Sequence, residues 1–65
     1  MKTFGEILRE KRKEKGLSQS QVAKKLGISN HQVCRWEAGV HFPNLIIATS
    51  IADVLECTLD ELVGR

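Results

Sequence analysis

Four polar side chains share one face of a short segment that the sequence predicts to be helical. Asn30, His31, Cys34 and Arg35 are spaced so that a helix places them on a single side, opposite the apolar residues of the segment. Their amide, imidazole and guanidinium groups can form hydrogen bonds, and imidazole and thiol groups can also bind metal ions. By its pattern alone, such a face is solvated polar surface. Hydrogen bonding to a ligand and metal binding are the two chemistries that would give it a function.

Metal binding and catalysis are both disfavoured by the spacing of the reactive residues. His31, Cys34, His41 and Cys57 offer four zinc ligands, but only the first two are close in sequence, whereas structural zinc sites usually bring ligands in close pairs. The Ser and Glu residues stand at helix-capping positions and no nucleophile elbow is present. We therefore expect no enzyme, no metal site and no cofactor, with Cys57 buried and Cys34 a partly exposed thiol.

The polar face belongs to a unit of two short helices that spans residues 18–37. Ser18 and Gln21 form a capping box that begins the first helix, and Gly27 supplies the left-handed residue that ends it. Ser29 and Gln32 form a second capping box, which begins the next helix almost at once. Because so few residues connect the two helices, we expect them to cross at a sharp angle.

Apolar spacing predicts how these two helices pack on each other. Val22 and Leu26, four residues apart, form the inward side of the first helix, and Val33 and Trp36, three apart, form that of the second. Ala23 is small enough to permit a close crossing, and the apolar Ile28 is placed to fill the turn between the helices. The inward residues are Val22, Ala23, Leu26, Ile28, Val33 and Trp36.

Three further helices are predicted around this unit. Capping residues begin helix one at Thr3, helix four at Asn44 and a last short helix at Thr58. Helix one extends to about Lys15, and helix four extends to about Leu55. The inward stripe of helix four consists of Leu45, Ala48, Ile51, Ala52 and Leu55. Since no period-two alternation occurs, we predict an all-α fold, a compact bundle of five short helices in a single domain of residues 1–65.

Charge is distributed unevenly along the chain. The 65 residues carry a net charge of +2, but residues 1–39 hold nine Lys and Arg against four Glu, a net charge of +5. Residues 40–65 have a net charge of −3. Positive potential on the half that carries the two-helix unit is what attraction to phosphates requires. With two cysteines, no signal peptide and no long apolar span, we expect a cytoplasmic protein with reduced thiols and no membrane association.

The two-helix unit resembles the helix-turn-helix of phage repressors and Cro proteins, the XRE-like family. The small residue at the crossing, the glycine at the turn and the apolar residues at 22, 26, 28, 33 and 36 all match. REKRKEKGLSQ is similar to the lead-in of that family, and PNLIIATSIADVLECTLDELV is similar to its closing helices. The resemblance implies a lambda-repressor-like domain whose second motif helix, about residues 29–38, enters the DNA major groove. It implies a sequence-specific, double-stranded DNA-binding transcriptional regulator, most naturally a repressor.

The resemblance also implies roles for individual residues. Asn30, His31 and Arg35 are expected to read base edges, and Gln32 is a weaker candidate because its side chain is also wanted for a cap. A second set is expected to hold DNA phosphates. Its members are Ser18, Gln19, Lys24 and Asn44.

A buried ion pair between helices one and three is the third implied feature. Arg12 lies four residues after Leu8 on the inward side, and Glu37 occupies the matching place at the end of the second motif helix. Two positions depart from the family pattern. The loop VHFPN offers only His41 where a basic loop is frequent, and Glu56 stands where glycine is common, so we expect a differently shaped exit from helix four.

Apolar residues that the predicted core does not need suggest a homodimer. Ile47 and Val54, seven residues apart, share a face of helix four that Ile46 and Val63 extend. A two-fold dimer would place two recognition helices about 34 Å apart and require a palindromic operator. The alternative to a DNA-binding regulator is a protein-interaction module of the same fold, such as an antitoxin or a domain that sequesters a partner regulator.

Overall fold

Five α-helices account for most of the chain in the computed structural model, which describes residues 2–64. No strand occurs in that range, so the predicted all-α bundle of five short helices is confirmed. Helices α2 and α3 are the two motif helices. In chain order the helices are α1 (Phe4–Glu14), α2 (Gln19–Leu26), α3 (Asn30–Ala38), α4 (Leu45–Val54) and α5 (Leu59–Leu62).

Side-chain caps begin four of the helices at the predicted residues. Thr3, Ser18 and Thr58 each accept a hydrogen bond from the backbone N–H three residues on, and the Glu or Gln there accepts one from the backbone of the cap. Asn44 begins α4, because its Oδ1 accepts a bond of 2.8 Å from the N–H of Ile47. These bonds satisfy donors that a helix leaves without an internal partner.

The predicted capping box at the start of α3 is wrong. Ser29 has the extended backbone of a cap, with φ −79° and ψ 151°, but its side chain makes no capping hydrogen bond. The N–H of Gln32 instead donates to the main-chain carbonyl of Ser29 at 3.2 Å, so a tight first turn already uses the donor that the hydroxyl would have capped. The side chain of Gln32 is therefore released from the cap and remains exposed.

The helices pack around one core in which α2 and α3 cross. Val22, Ala23, Val33 and Trp36 are buried there, and Leu26 and Ile28 pack against them, as the spacing predicts. The other helices contribute the remaining buried members. They are Leu8 from α1, Ile51 and Ala52 from α4, Leu55 directly after α4, and Leu62 from α5.

A close contact between α1 and the end of α3 depends on Gly5, which the sequence pattern did not single out. A Cβ at this position would lie 2.5 Å from the carbonyl oxygen of Glu37 and 2.6 Å from that of Trp36. Both neighbours are backbone atoms, so neither can move aside without shifting α3. The missing side chain therefore sets how closely α1 approaches the C-terminal end of α3.

The exit from α4 has the same shape as the exit from α2, although glutamate replaces glycine. At Gly27 (φ 73°), the next N–H donates to the carbonyl of Ala23 at 3.0 Å, which is the pattern of a Schellman motif. Glu56 adopts the same left-handed region with φ 55°, and the N–H of Cys57 donates to Ala52 at 3.0 Å. The expectation of a differently shaped exit is wrong, because Glu56 keeps the motif in a conformation that costs free energy for a residue with a Cβ.

The predicted inward face of α4 is wrong at its first residue. Leu45 is 69% exposed, whereas Ala48, Ile51, Ala52 and Leu55 are buried as expected. The neighbouring Ile46 is 76% exposed, so the first turn of α4 presents two large apolar side chains at the surface.

Candidate nucleic-acid interface

The exposed side of α3 carries every residue that was predicted to read bases. Asn30, His31, Gln32 and Arg35 are all exposed, while Val33 and Trp36 on the opposite side are buried. The outer side of α3 is therefore a polar ridge, called here the α3 ridge, that consists of Asn30, His31, Gln32 and Arg35. Trp36 is 6% exposed and belongs to the core, so it is not available to stack on a base.

Asn30 is positioned by a residue of α2 that sequence reasoning missed. Its Nδ2 donates to Oγ of Ser20 at 3.3 Å, which links the first residue of α3 to the preceding helix. The carbonyl oxygen and the second amide hydrogen of Asn30 stay available, and these are the acceptor and donor that an adenine edge requires. No local pattern signals this contact, because residues 20 and 30 approach each other only through the crossing of α2 and α3.

Two grooves border the α3 ridge, one on each side. The first, called here the α1–α3 groove, brings three helices together. Its lining residues are Arg9, Arg12, Gln19, Cys34, Glu37 and Ala38. The second, the α3–α4 groove, runs between α3, the following loop and the start of α4. Its lining residues are Ile28, Gln32, Arg35, Trp36, His41, Phe42, Pro43, Asn44 and Ile47.

A hydrogen-bonded network closes the floor of the α1–α3 groove. Arg12 donates two hydrogen bonds to Glu37, from Nε to Oε2 at 2.7 Å and from Nη2 to Oε1 at 3.1 Å. Its Nη1 donates a further bond, to the carbonyl oxygen of Leu17 at 2.8 Å. Gln19 Nε2 adds a third bond to Glu37, at 3.1 Å to Oε1. The two charged side chains are 11% and 6% exposed, so the ion pair anticipated from the sequence lies in a poorly solvated place.

The predicted phosphate-binding residues are divided between the grooves and the open surface. Gln19 lines the α1–α3 groove and Asn44 lines the α3–α4 groove. Asn44 uses its oxygen for the cap of α4, which leaves its amide hydrogens for a ligand. Ser18 and Lys24 are exposed but line neither groove.

Ion pairing leaves positive charge close to the ridge. Three further pairs, Lys2 with Glu10, Lys11 with Glu61 and Lys15 with Glu56, occupy cations of the N-terminal half. Two of these partners come from the acidic C-terminal half, which therefore neutralises α1 on the side away from α3. Within residues 2–64, five cations have no ion pair. They are Arg9, Lys13, Lys24, Lys25 and Arg35.

The two thiols differ in their surroundings. Cys34 is exposed on α3, and Cys57 is half-buried, where burial raises the pKa of its thiol. In the part of the chain that the structure describes, no three His, Cys, Asp or Glu side chains are grouped closely enough to hold a metal ion.

Residues 8–62 match the family described as helix-turn-helix, which covers most of the chain. The chain belongs to this helix-turn-helix family, of the XRE type found in phage repressors. The cryptic phage CTXphi transcriptional repressor RstR of Vibrio cholerae is 38% identical over 60 residues, which are 92% of this chain and 54% of RstR. An uncharacterized HTH-type transcriptional regulator of Methanothermobacter thermautotrophicus is 39% identical over 49 residues, 75% of this chain and 71% of that protein.

The HTH-type transcriptional activator BcrR of Enterococcus faecalis is 35% identical over 61 residues, which are 94% of this chain and 30% of BcrR. The chain thus spans about a third of BcrR and about half of RstR. These relatives are transcriptional regulators, which favours a regulator over a protein-interaction module. BcrR is named as an activator and RstR as a repressor, so the family includes both activators and repressors of transcription.

Solved structures give the same fold. The P22 c2 repressor in complex with a synthetic operator has a TM-score of 0.91 at 28% identity, covering 97% of this chain and 96% of that one. The restriction-modification controller protein C.AhdI from Aeromonas hydrophila has a TM-score of 0.86 at 36% identity, covering 91% and 89%. The lambda-repressor-like fold expected from the sequence is therefore confirmed.

An enzyme also contains this fold as one part. The chain matches hydroxypropylphosphonic acid epoxidase from S. wedmorenis with a TM-score of 0.86 at 28% identity, but it covers only 32% of that enzyme. The family relatives point to DNA-binding regulators. None of the helices within residues 2–64 is long and apolar enough to cross a bilayer.

Proposed function

We propose that residues 1–65 act as one DNA-binding domain of a transcriptional regulator, with α3 in the major groove of double-stranded DNA. The observation that carries this proposal is the polar ridge of α3, bordered by two grooves that hold cations and amide groups. A major groove admits an α-helix, and the flanking phosphates would then lie along the two grooves. The P22 c2 repressor, which has the same fold and is bound to a synthetic operator in its crystal structure, supports DNA binding by this chain.

Base reading is assigned to the exposed side chains of α3. Arg35 can donate two parallel hydrogen bonds to guanine, and Asn30 can pair with adenine in the same bidentate manner. His31 and Gln32 lie beside them on the ridge. Gln32 is a stronger candidate than the sequence suggested, because no cap occupies its side chain.

Phosphate binding is assigned to residues at the edges of the ridge. Gln19 acts from the α1–α3 groove and Asn44 from the α3–α4 groove, while Ser18 and Lys24 act from the exposed surface of α2 and its cap. Such contacts hold the protein in register on the duplex without reading sequence.

A homodimer on a palindromic operator is part of the proposal. An apolar groove between α4 and α5 includes Leu45 and Val63, which are 69% and 49% exposed, and Ile46 is exposed next to them. Ile47 and Val54 pack partly against the core, so they would contribute less to an interface than Ile46 and Val63. A dimer would cover exposed apolar side chains and double the number of DNA contacts.

We further propose that the protein represses transcription, as the names of RstR and the P22 c2 protein state for those relatives. Neither a cofactor nor a catalytic group is assigned, and we place the protein in the cytoplasm with the DNA it would bind.

Selection of bound duplexes from random double-stranded DNA tests the proposal. We expect a palindromic consensus, and we expect affinity for it to fall steeply between low and high salt as phosphate contacts release counterions. The matched control is the Asn30→Ala, Arg35→Ala double variant, which should lose the consensus while keeping weak, salt-dependent binding. Recovery of no preferred sequence by the parent protein, together with capture of a partner regulator, would favour the interaction module.

A further inference from the structure

The α1–α3 groove contains a cation that neither the fold nor the predicted site uses. Arg9 is exposed on α1, lines this groove and forms no ion pair within residues 2–64. It precedes Arg12 by three residues, so the two guanidinium groups project on neighbouring parts of the same helical side. The charge of Arg12 is balanced by Glu37, whereas that of Arg9 is not.

The donors that face this groove exceed the acceptors available to them. Gln19 has two amide hydrogens and spends one on Glu37. All five donors of Arg9 are free of side-chain acceptors in the described residues. Among residues 2–64, Glu37 is the one carboxylate that lines the groove, and it already accepts three hydrogen bonds. A groove with more hydrogen-bond donors than acceptors and a net positive charge suits an anion.

The position of the groove on α3 indicates which anion would reach it. Asn30, Cys34 and Ala38 follow one another at four-residue intervals, so they form a single row along the ridge. This row starts at a proposed base-reading residue and ends in the lining of the groove. A DNA backbone that borders α3 on the Gln19 side would therefore pass next to Arg9.

We infer that Arg9 binds a DNA backbone phosphate, and that it shares this phosphate or its neighbour with the second amide hydrogen of Gln19. The Arg12–Glu37 pair would hold the amide group of Gln19 in position for this contact, through the hydrogen bond from Gln19 to Glu37. Helix α1, which the sequence pattern treats only as support for the motif, thereby becomes part of the DNA interface. This inference rests on the proposed function, because it requires α3 to lie in the major groove.

The salt dependence of binding distinguishes Arg9 from other cations of α1. In the proposed homodimer, Arg9→Gln removes one phosphate contact from each protomer, which lowers the slope of log affinity against log salt by about 1.8. The variant should therefore weaken binding about twelvefold more at 50 mM than at 200 mM salt. The loss should be equal for the selected operator and for random duplex, since a phosphate contact reads no sequence. The matched control is Lys11→Gln, which removes the same charge from the same helix but faces Glu61 of α5. That variant should leave the slope unchanged.

A second experiment locates the phosphate by use of Cys34, which lines the same groove. Operators with a disulfide-activated tether at single backbone positions should cross-link to Cys34 most rapidly at the phosphate near Arg9, and Cys34→Ser should abolish that product. A neutral methylphosphonate at the same position should weaken the parent protein more than it weakens Arg9→Gln, because only the parent protein loses a charged contact there.

The possible failures can be told apart. If Arg9→Gln keeps the parent slope while Gln19→Ala weakens binding to all duplexes alike, the protein binds DNA as proposed and Arg9 has no part in it. Additive effects of Arg9→Gln and the methylphosphonate would likewise overturn the inference. Absence of DNA binding by the parent protein would overturn the proposed function and this inference together.

Discussion

Replacing Arg12 by methionine tests the packing of the α1–α3 groove most directly. The side chains of Arg12 and Glu37 are 11% and 6% exposed, and Arg12 donates two hydrogen bonds to Glu37 and one to Leu17. Arg12→Met would leave the carboxylate buried with Gln19 as its only side-chain donor among the described residues. It would also remove the side-chain donor from the carbonyl of Leu17.

The expected loss is large relative to the stability of so short a chain. Breaking a buried pair by removing one partner costs about 3–5 kcal/mol. A domain of this length has a free energy of unfolding of about 3–10 kcal/mol, so the variant should lose a large part of its stability and should unfold if the parent lies at the lower end of that range. At about 4–8 °C per kcal/mol, Tm should fall by at least about 12 °C.

Urea and thermal unfolding followed by circular dichroism provide the measurement. Lys2→Met is the matched control, because it breaks the Lys2–Glu10 pair, whose side chains are 59% and 50% exposed, and should leave the unfolding midpoint almost unchanged. The double variant Arg12→Met, Glu37→Leu should recover much of the lost stability, since it leaves no unpaired charge. Equal losses for Arg12→Met and Lys2→Met would refute the assignment of a buried pair.

Four further predictions follow from single features of the structure. Gly5→Ala should destabilise the domain by about 1–3 kcal/mol in urea unfolding, because its Cβ would overlap backbone oxygens of α3; an unchanged midpoint would show that α1 is not held this closely. Glu56→Gly should raise stability by about 0.5–1 kcal/mol, since relief of the left-handed glutamate exceeds the loss of one exposed ion pair, whereas Glu56→Gln should not. The backbone N–H of Thr3 donates a hydrogen bond to Glu6 and that of Thr58 donates one to Glu61, and each bond lowers the pKa of its carboxylate below the ordinary 4.5. Both carboxylates therefore stabilise the fold above pH 4.5, and this stabilisation is lost as the pH falls through the lowered pKa values. When the free energy of unfolding is measured from pH 7 to pH 2, Glu61→Gln should reduce its fall at acid pH. Arg35→Ala should cost about 1–3 kcal/mol on the selected operator and relax one base position in binding assays, and an equal loss on all duplexes would assign Arg35 to phosphate instead.

Features that depend on a few neighbouring residues were predictable from the sequence. The capping boxes at Thr3, Ser18 and Thr58 and the glycine exit at Gly27 each involve atoms within about five residues of one another. These hydrogen bonds join residues that are close in sequence, so residue types at fixed offsets favour them, although Ser29 and Gln32 have the same offset and form no capping box. The buried stripes of α2 and α3 followed from periodicity for the same reason. The roles on DNA came from family resemblance, because a polar face alone has no preferred ligand.

Features that depend on contacts between helices were decided by the tertiary structure. Leu45 fits the apolar stripe of α4 but is exposed in the folded chain. Gly5 is important because the backbone at the end of α3 lies against it, and Ser20 contacts Asn30 only because α2 and α3 cross. The same is true of Arg9, whose sequence neighbours make it one cation in a charged run. Periodicity tells which side of a helix is apolar, but the length of the neighbouring helix and its distance determine which residues are covered. Spatial proximity between residues far apart in sequence is set by how the helices pack, and only the folded chain fixes it.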